Sequence, residues 1–224
     1  GDFGAMGLLG TRIHKITPEG NISELEHDFQ GPIAHDFDAG GNMYVVNYNS
    51  GFVEKITADG VKSSFADFRN LSGANGIFIN SQDEIFVSSF NGNTVYKVSS
   101  AGEPEIWMSG NGLNGPVGMV EDEEKNLYIA NYNDGRLFKI NADKSNTELA
   151  SSLDGSGYIT YTNGMIYATG INTNKIYQIP VNGGTATELA GSASAGLGYP
   201  NGIALNGDGS KIYVSNYYNN KIII

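Results

Sequence analysis

GPIAHDFDAGGNMYVVNYNSGFVEKITADGVKSSFADFRNLS (31–72) is followed by GANGIFINSQDEIFVSSFNGNTVYKVSSAGEPEIWMSGNGLN (73–114), and the two segments align without a gap. Glycines recur at Gly31, Gly73, Gly115 and Gly157, 42 residues apart, and the next step lands on Tyr199. An aromatic strand repeats as MYVV, IFVS, LYIA, MIYA and KIYV, with Tyr44, Phe86, Tyr128, Tyr167 and Tyr213 in equivalent places. A second strand repeats as RIHKI, FVEKI, TVYKV, RLFKI and KIYQI, aligning Lys15, Lys55, Lys97 and Lys139 with Gln178. The alternation of apolar and polar positions marks half-buried strands, and TPEGN, TADGV, SSAGE, NADKS and VNGGT after them are hairpin-closing turns.

Each unit therefore reads as four strands: A (76–79), B (84–90), C (94–98) and D (103–109) in the second full copy. A period of about 42 residues filled by short strands is that of propeller blades; helical repeats of this length need long 3.6-residue periodicity, which is absent. One four-stranded sheet cannot bury both its faces, so blades must stack about an axis, with the glycine column at the tight crossing from D to the next A. The fold class is all-β, a β-propeller of four-stranded antiparallel blades in a single domain, 1–224. Full blades span 31–72, 73–114, 115–156 and 157–198, with partial blades at 2–30 and 199–224. Six full units of 42 residues exceed the 224 residues of the chain by 28, which predicts six blades with incomplete first and last members. Five blades are the alternative, with strand A near 202–205 completing the N-terminal sheet.

Composition narrows the function. The absence of cysteine excludes disulfides, thiol nucleophiles and cysteine-held metals. A net charge of −11 repels nucleic acid and anionic membranes. No apolar run approaches the roughly 20 residues that cross a bilayer, so membrane insertion is not expected. The start, GDFGAMGLLG, has no basic n-region; an extracellular or periplasmic setting then implies a leader removed before residue 1. Asn21-Ile-Ser and Asn70-Leu-Ser match the glycosylation sequon. Glu121-Asp122-Glu123-Glu124 falls in an A-to-B turn and reads as a solvated loop, without the spacing of a calcium loop.

Strands A and B are antiparallel, so the start of A and the end of B share one face. The ends of B carry Asn47-Tyr48-Asn49, Ser89-Phe90-Asn91, Asn131-Tyr132-Asn133 and Asn216-Tyr217-Tyr218, while the fourth full copy has Gly170-Ile171-Asn172. Candidate ligand-binding residues on this face are Asn47, Tyr48, Phe90, Asn131, Tyr132, Asn216 and Tyr217, because amides exchange hydrogen bonds and aromatic faces stack on a neutral polar ligand. Asparagine is also a turn residue that tolerates left-handed backbone, so turn chemistry is the competing account of the same column. His35, in strand A where other copies have Ile77, Met119, Tyr161 and Ile203, is the remaining candidate.

PNGIALNGDGSKIYVSNYYNNKI (200–222), with weaker copies at 32–53 and 116–137, resembles NHL-type repeats and is similar to the gluconolactonase-like six-bladed propellers. The resemblance covers nearly the whole chain. Gluconolactonase-like members hold a divalent cation through the Glu of an E-G-P motif, the Asn of an S-N-G motif and a further Asp. Here the first motif reads Gln30-Gly31-Pro32, and the second is approximated by Ala74-Asn75-Gly76 and Pro200-Asn201-Gly202. The resemblance thus implies Asn75 and Asn201 as ligands of a central divalent cation, calcium in the first instance. The related virginiamycin-lyase-like propellers rely on a histidine and a glutamate, which again singles out His35. Two functions follow: a noncatalytic binding or scaffold module for a carbohydrate, small polar ligand or protein, or a metal-dependent lactonase or related hydrolase. Self-association through the incomplete end blades is a third expectation.

Overall fold

A computed structural model describes residues 3–5, 10–17 and 19–224, with side chains from residue 10 onward. The chain divides into two compact units, Gly1–Ser109 and Gly110–Ile224. Among the described residues the N-terminal unit holds eleven strands: β1 (Phe3–Ala5), β2 (Arg12–Ile16), β3 (Ile22–His27), β4 (Pro32–Phe37), β5 (Met43–Asn47), β6 (Phe52–Ile56), β7 (Lys62–Asp67), β8 (Gly76–Ile79), β9 (Ile85–Ser89), β10 (Thr94–Val98) and β11 (Pro104–Ser109). They form the sheets β1-β2-β3, β4-β5-β6-β7 and β8-β9-β10-β11, all antiparallel between neighbours.

The C-terminal unit repeats the plan with β12 (Pro116–Glu121), β13 (Leu127–Asn131), β14 (Leu137–Ile140), β15 (Asn146–Ala150), β16 (Ser156–Thr162), β17 (Met165–Gly170), β18 (Lys175–Pro180) and β19 (Thr187–Gly191). The short helix α1 (Ser192–Ala195) then leads to β20 (Pro200–Leu205), β21 (Ile212–Asn216) and β22 (Lys221–Ile223). Its sheets are β12 to β15, β16 to β19 and β20 to β22, each in sequence order. The architecture is an all-β propeller with four-stranded antiparallel blades. Four of the sheets, β4 to β7, β8 to β11, β12 to β15 and β16 to β19, have four strands each. Of the two expected counts the structure matches five blades and not six with incomplete ends: the end sheets β1-β2-β3 and β20-β21-β22 have three described strands each, too few for two blades.

The blades pack face to face through their apolar columns. Ile13, Phe29, Met43, Val45 and Ile56 are buried between the first two sheets. In the C-terminal unit Tyr128, Ala130 and Leu137 meet Ile159, Ile166 and Ile179, and beyond them Ile176 meets Leu197 and Val214. Within each unit the first strands of successive blades run close together, β4 by β8, β12 by β16 and β16 by β20. A Cβ at Gly118 of β12 would stand 2.7 Å from the Gly157 carbonyl oxygen and 2.8 Å from the Ile159 nitrogen of β16, so only glycine permits that approach.

The crossing column corrects one register. Gly31, Gly73 and Gly115 have φ of +70°, +76° and +63°, and Tyr199 takes the same left-handed backbone at +53°. In the fourth complete blade the equivalent residue is Gly155 (φ +70°), not Gly157. The Ile171 amide bonds to the Gly155 oxygen as those of Tyr48, Tyr132 and Tyr217 bond to Gly31, Gly115 and Tyr199. The loop ahead of this blade is two residues shorter, so Gly157 matched the 42-residue spacing without occupying the turn.

The A-to-B turns have their own lock. Asp122, buried, accepts backbone hydrogen bonds from Glu124 and Asn126 (both 2.9 Å), the Asn126 side-chain amide (2.8 Å) and the Tyr128 hydroxyl (2.8 Å). Asp38, Asn42 and Tyr44 repeat this clasp with a longer hydroxyl contact of 3.2 Å. Of the acidic run read as a solvated loop, Asp122 is thus a structural anchor.

Candidate ligand-binding face

The asparagines that end the second blade strands point inward. Asn47, Asn131 and Asn216 are buried, and their amides clamp the crossing segment that precedes the blade. Asn47 Oδ1 accepts from the Gln30 amide (3.0 Å) and Asn216 Oδ1 from that of Gly198 (2.6 Å). Asn131 Nδ2 donates to the Gly112 oxygen (2.8 Å) and Asn216 Nδ2 to that of Gly196 (3.1 Å). In the second complete blade the Ser89 hydroxyl reaches the carbonyls of Leu71 and Ser72 instead (both 3.2 Å). Gly170 holds this place in the fourth, with Thr173 Oγ1 and the Tyr177 ring occupying the space a side chain would need. The column is chiefly a backbone clamp, satisfying crossing-loop groups that would otherwise be buried without partners.

The aromatic residues that follow point outward. Tyr48 is 43% exposed and Tyr217 67%, while Phe90 and Tyr132 are half-buried. In the C-terminal unit the turns at this end of the sheets form a connected run. The Tyr132 hydroxyl stands 3.5 Å from Asn172 Oδ1, and Asn172 Nδ2 donates to Asp154 (3.2 Å). Two residues on, Asn174 Oδ1 accepts from the Tyr199 amide (2.7 Å). The Tyr199 ring stacks on that of Tyr218 with centroids 6.5 Å apart and planes 23° apart. Tyr199 and Tyr218 are 49% and 78% exposed. Sequence reasoning placed Tyr218 and Asn172 at this end of the strands without naming them as candidates, and it missed Tyr199. A signal existed: tyrosine at a crossing position that elsewhere is glycine is costly unless the ring is used.

His35 and Asp36 lie side by side in β4, both half-buried. The imidazole packs edge-on against Phe37, centroids 5.7 Å apart, and its burial lowers its pKa to about 4, so it is neutral near pH 7. Burial raises the Asp36 carboxyl to about 6, against the opposing pull of backbone bonds from Ile79 (2.7 Å) and Phe37 (2.8 Å). Asp36 thereby ties the first strands of two neighbouring blades.

Asn75 precedes β8 and bonds through its backbone amide to the Ser88 oxygen (2.8 Å). Asn201 begins β20 exposed, its carbonyl accepting from Thr169 Oγ1 (2.9 Å). The two belong to different units. A hard divalent cation recruits carboxylate oxygens. Gln30, Asn75 and Asn201 offer neutral amides, and no three His, Asp or Glu side chains gather to hold a metal among the described residues. The donor set does not fit such an ion.

No family model and no curated protein matches the sequence. Solved structures do match. A chain of a nidogen/laminin complex superposes with a TM-score of 0.84 at 17% identity, covering 99% of this chain and 88% of that one. A gluconolactonase of Xanthomonas campestris gives 0.77 at 13%, covering 93% and 77%. Virginiamycin B lyase of Staphylococcus aureus gives 0.72 at 20%, covering 96% and 72%. At these identities the likeness shows a shared β-propeller fold alone, one that occurs in enzymes and in a protein found in a complex.

Proposed function

We propose that the chain is a noncatalytic binding propeller, set outside the cytoplasm, that recognises a neutral polar ligand, a carbohydrate or a protein surface bearing one, through the tyrosine run of its C-terminal unit. The observation that carries this reading is the connected surface of Tyr132, Asn172, Asn174, Tyr199 and Tyr218, beside the exposed Tyr217. Exposed rings held by stacking and by amide contacts present flat apolar faces at low entropic cost, and the amides between them donate and accept. The superposition on a chain of a nidogen/laminin complex supports a propeller that works by association.

Screening the protein against immobilised glycans, with the triple variant Tyr199→Ser, Tyr217→Ser, Tyr218→Ser in parallel, tests the proposal. Each stacking ring is expected to contribute about tenfold in affinity. A variant that binds the same glycans as tightly as the parent removes this face. Hydrolysis of a lactone or related ester is the second reading, and it draws on the likeness to gluconolactonase and virginiamycin B lyase. It requires measurable turnover of a lactone or ester, and a preparation inert toward a panel of both counts against it.

A further inference from the structure

In the aligned repeats TVYKV, RLFKI and KIYQI the third residue is an aromatic ring in three complete blades: Tyr96, Phe138 and Tyr177. Each ring fills the gap beneath the neighbouring loop. Tyr96 meets Phe68 edge-on with centroids 5.5 Å apart, Phe138 lies where a Cβ on Gly112 would touch it at 3.4 Å, and Tyr177 closes over Gly170 with its hydroxyl on Thr173 (3.0 Å). In the first complete blade the same position is Glu54. Without a ring there, a cavity of about 420 Å³ opens over Glu54, walled by Gln30, Asn47, Ser50, Phe52, Ser64 and Arg69. It is open to solvent on one side.

The chemistry of the walls selects the ligand. Glu54 Oε2 accepts from Asn47 Nδ2 (2.9 Å), which orients the carboxylate. Arg69 stacks over the Phe52 ring at 4.5 Å and is held by Asp67 through bonds of 2.6 to 3.1 Å, so its charge is compensated within the chain. An anion meets the Glu54 carboxylate, and a bare cation finds one carboxylate already engaged by Asn47, whereas hydroxyl groups are served by Glu54 as acceptor, by Arg69 as donor, by the Gln30 side-chain amide and by two serines. We propose that this cavity is a binding site for a single neutral sugar ring, with Glu54 accepting hydrogen bonds from two of its hydroxyl groups. It lies wholly in the N-terminal unit and shares no residue with the tyrosine run. It adds a second carbohydrate contact and stands or falls separately.

Ligand-observed NMR on the full chain with free hexoses and N-acetylhexosamines, and with lysine amide and inorganic phosphate as competitors, tests it. At least one sugar is expected to bind at millimolar concentration. Glu54→Gln should weaken it about tenfold, the loss of a charge-assisted hydrogen bond. Glu54→Tyr restores the ring of the other blades; it should abolish sugar binding while the thermal midpoint stays level or rises. The triple tyrosine variant should still bind the free sugar, which separates this site from the face above. No binding by any sugar, equal binding by Glu54→Tyr, or displacement by lysine amide or phosphate overturns the proposal.

Discussion

The Asp122 clasp lends itself to a quantitative test, because one hydroxyl can be removed from it without touching the rest. Tyr128→Phe deletes the 2.8 Å bond to Asp122 from a fully buried ring, and leaves the carboxylate its bonds from Asn126 and Glu124. A buried hydrogen bond to an ionised group contributes about 1.5–3 kcal/mol. For a chain of this size that corresponds to a fall of roughly 3–12 °C in thermal midpoint. Tyr44→Phe is the internal control, because its hydroxyl stands 3.2 Å from a half-buried Asp38 and should cost about 0.5–1.5 kcal/mol. Far-UV circular dichroism should follow both variants, since the one tryptophan, Trp107, reports on the N-terminal unit alone.

The pH dependence adds a second arm. Burial works against ionisation of Asp122, but the hydrogen bonds from Asn126, Tyr128 and Glu124 outweigh it and hold the carboxyl below its ordinary value. A depressed carboxyl stabilises the fold above its unfolded pKa of about 3.9, and that contribution is lost as pH falls through the folded value. The gap between parent and Tyr128→Phe should therefore be full at neutral pH and shrink on acidification below about pH 4. Equal losses in the two variants, or a gap unchanged in acid, would refute the reasoning.

Two further outcomes are expected. His35, lowered to about 4, stabilises the fold above its unfolded value and loses that contribution as pH falls through 4; Asp36, raised to about 6, does the reverse, its contribution fading as pH rises through 6. The opposed slopes offset one another between these values, so Asp36→Asn should show stability rising with pH from about 4 to 6.5 in denaturant titrations, and a flat profile would disprove the offset. Gly170→Asn supplies the residue that the other blades use as a clamp, yet its Cβ would stand 2.4 Å from Thr173 Oγ1 and 2.6 Å from the Tyr177 ring. It should lower stability by about 1–3 kcal/mol, and a thermal midpoint at or above the parent's would contradict the geometry.

The blade plan was legible because its causes are local. Alternation in MYVVN and FVEKI, turn clusters between them and a recurrent crossing glycine each follow from the conformational demands of a few adjacent residues. The same locality misled at Gly157, where arithmetic spacing and the true turn at Gly155 diverge by a shortened loop. It also left the asparagine column divided between ligand contact and turn chemistry. Burial divides Asn47, Asn131 and Asn216 from the exposed Tyr48 and Tyr217 beside them, and burial depends on where the preceding crossing loop packs.

The sequence by itself determined the repeat, its four strands and the polar aromatic character of one end of the sheets, since a periodic pattern of side chains dictates secondary structure and stacking. Only the tertiary structure decided which of those side chains are available. Tyr132 meets Asn172 forty residues away, Asn174 meets Tyr199, and Glu54 opens a cavity because a ring present in three sister blades is absent from one. Such juxtapositions arise between blades, where neighbours in space are a full repeat apart in sequence, and no local rule specifies them.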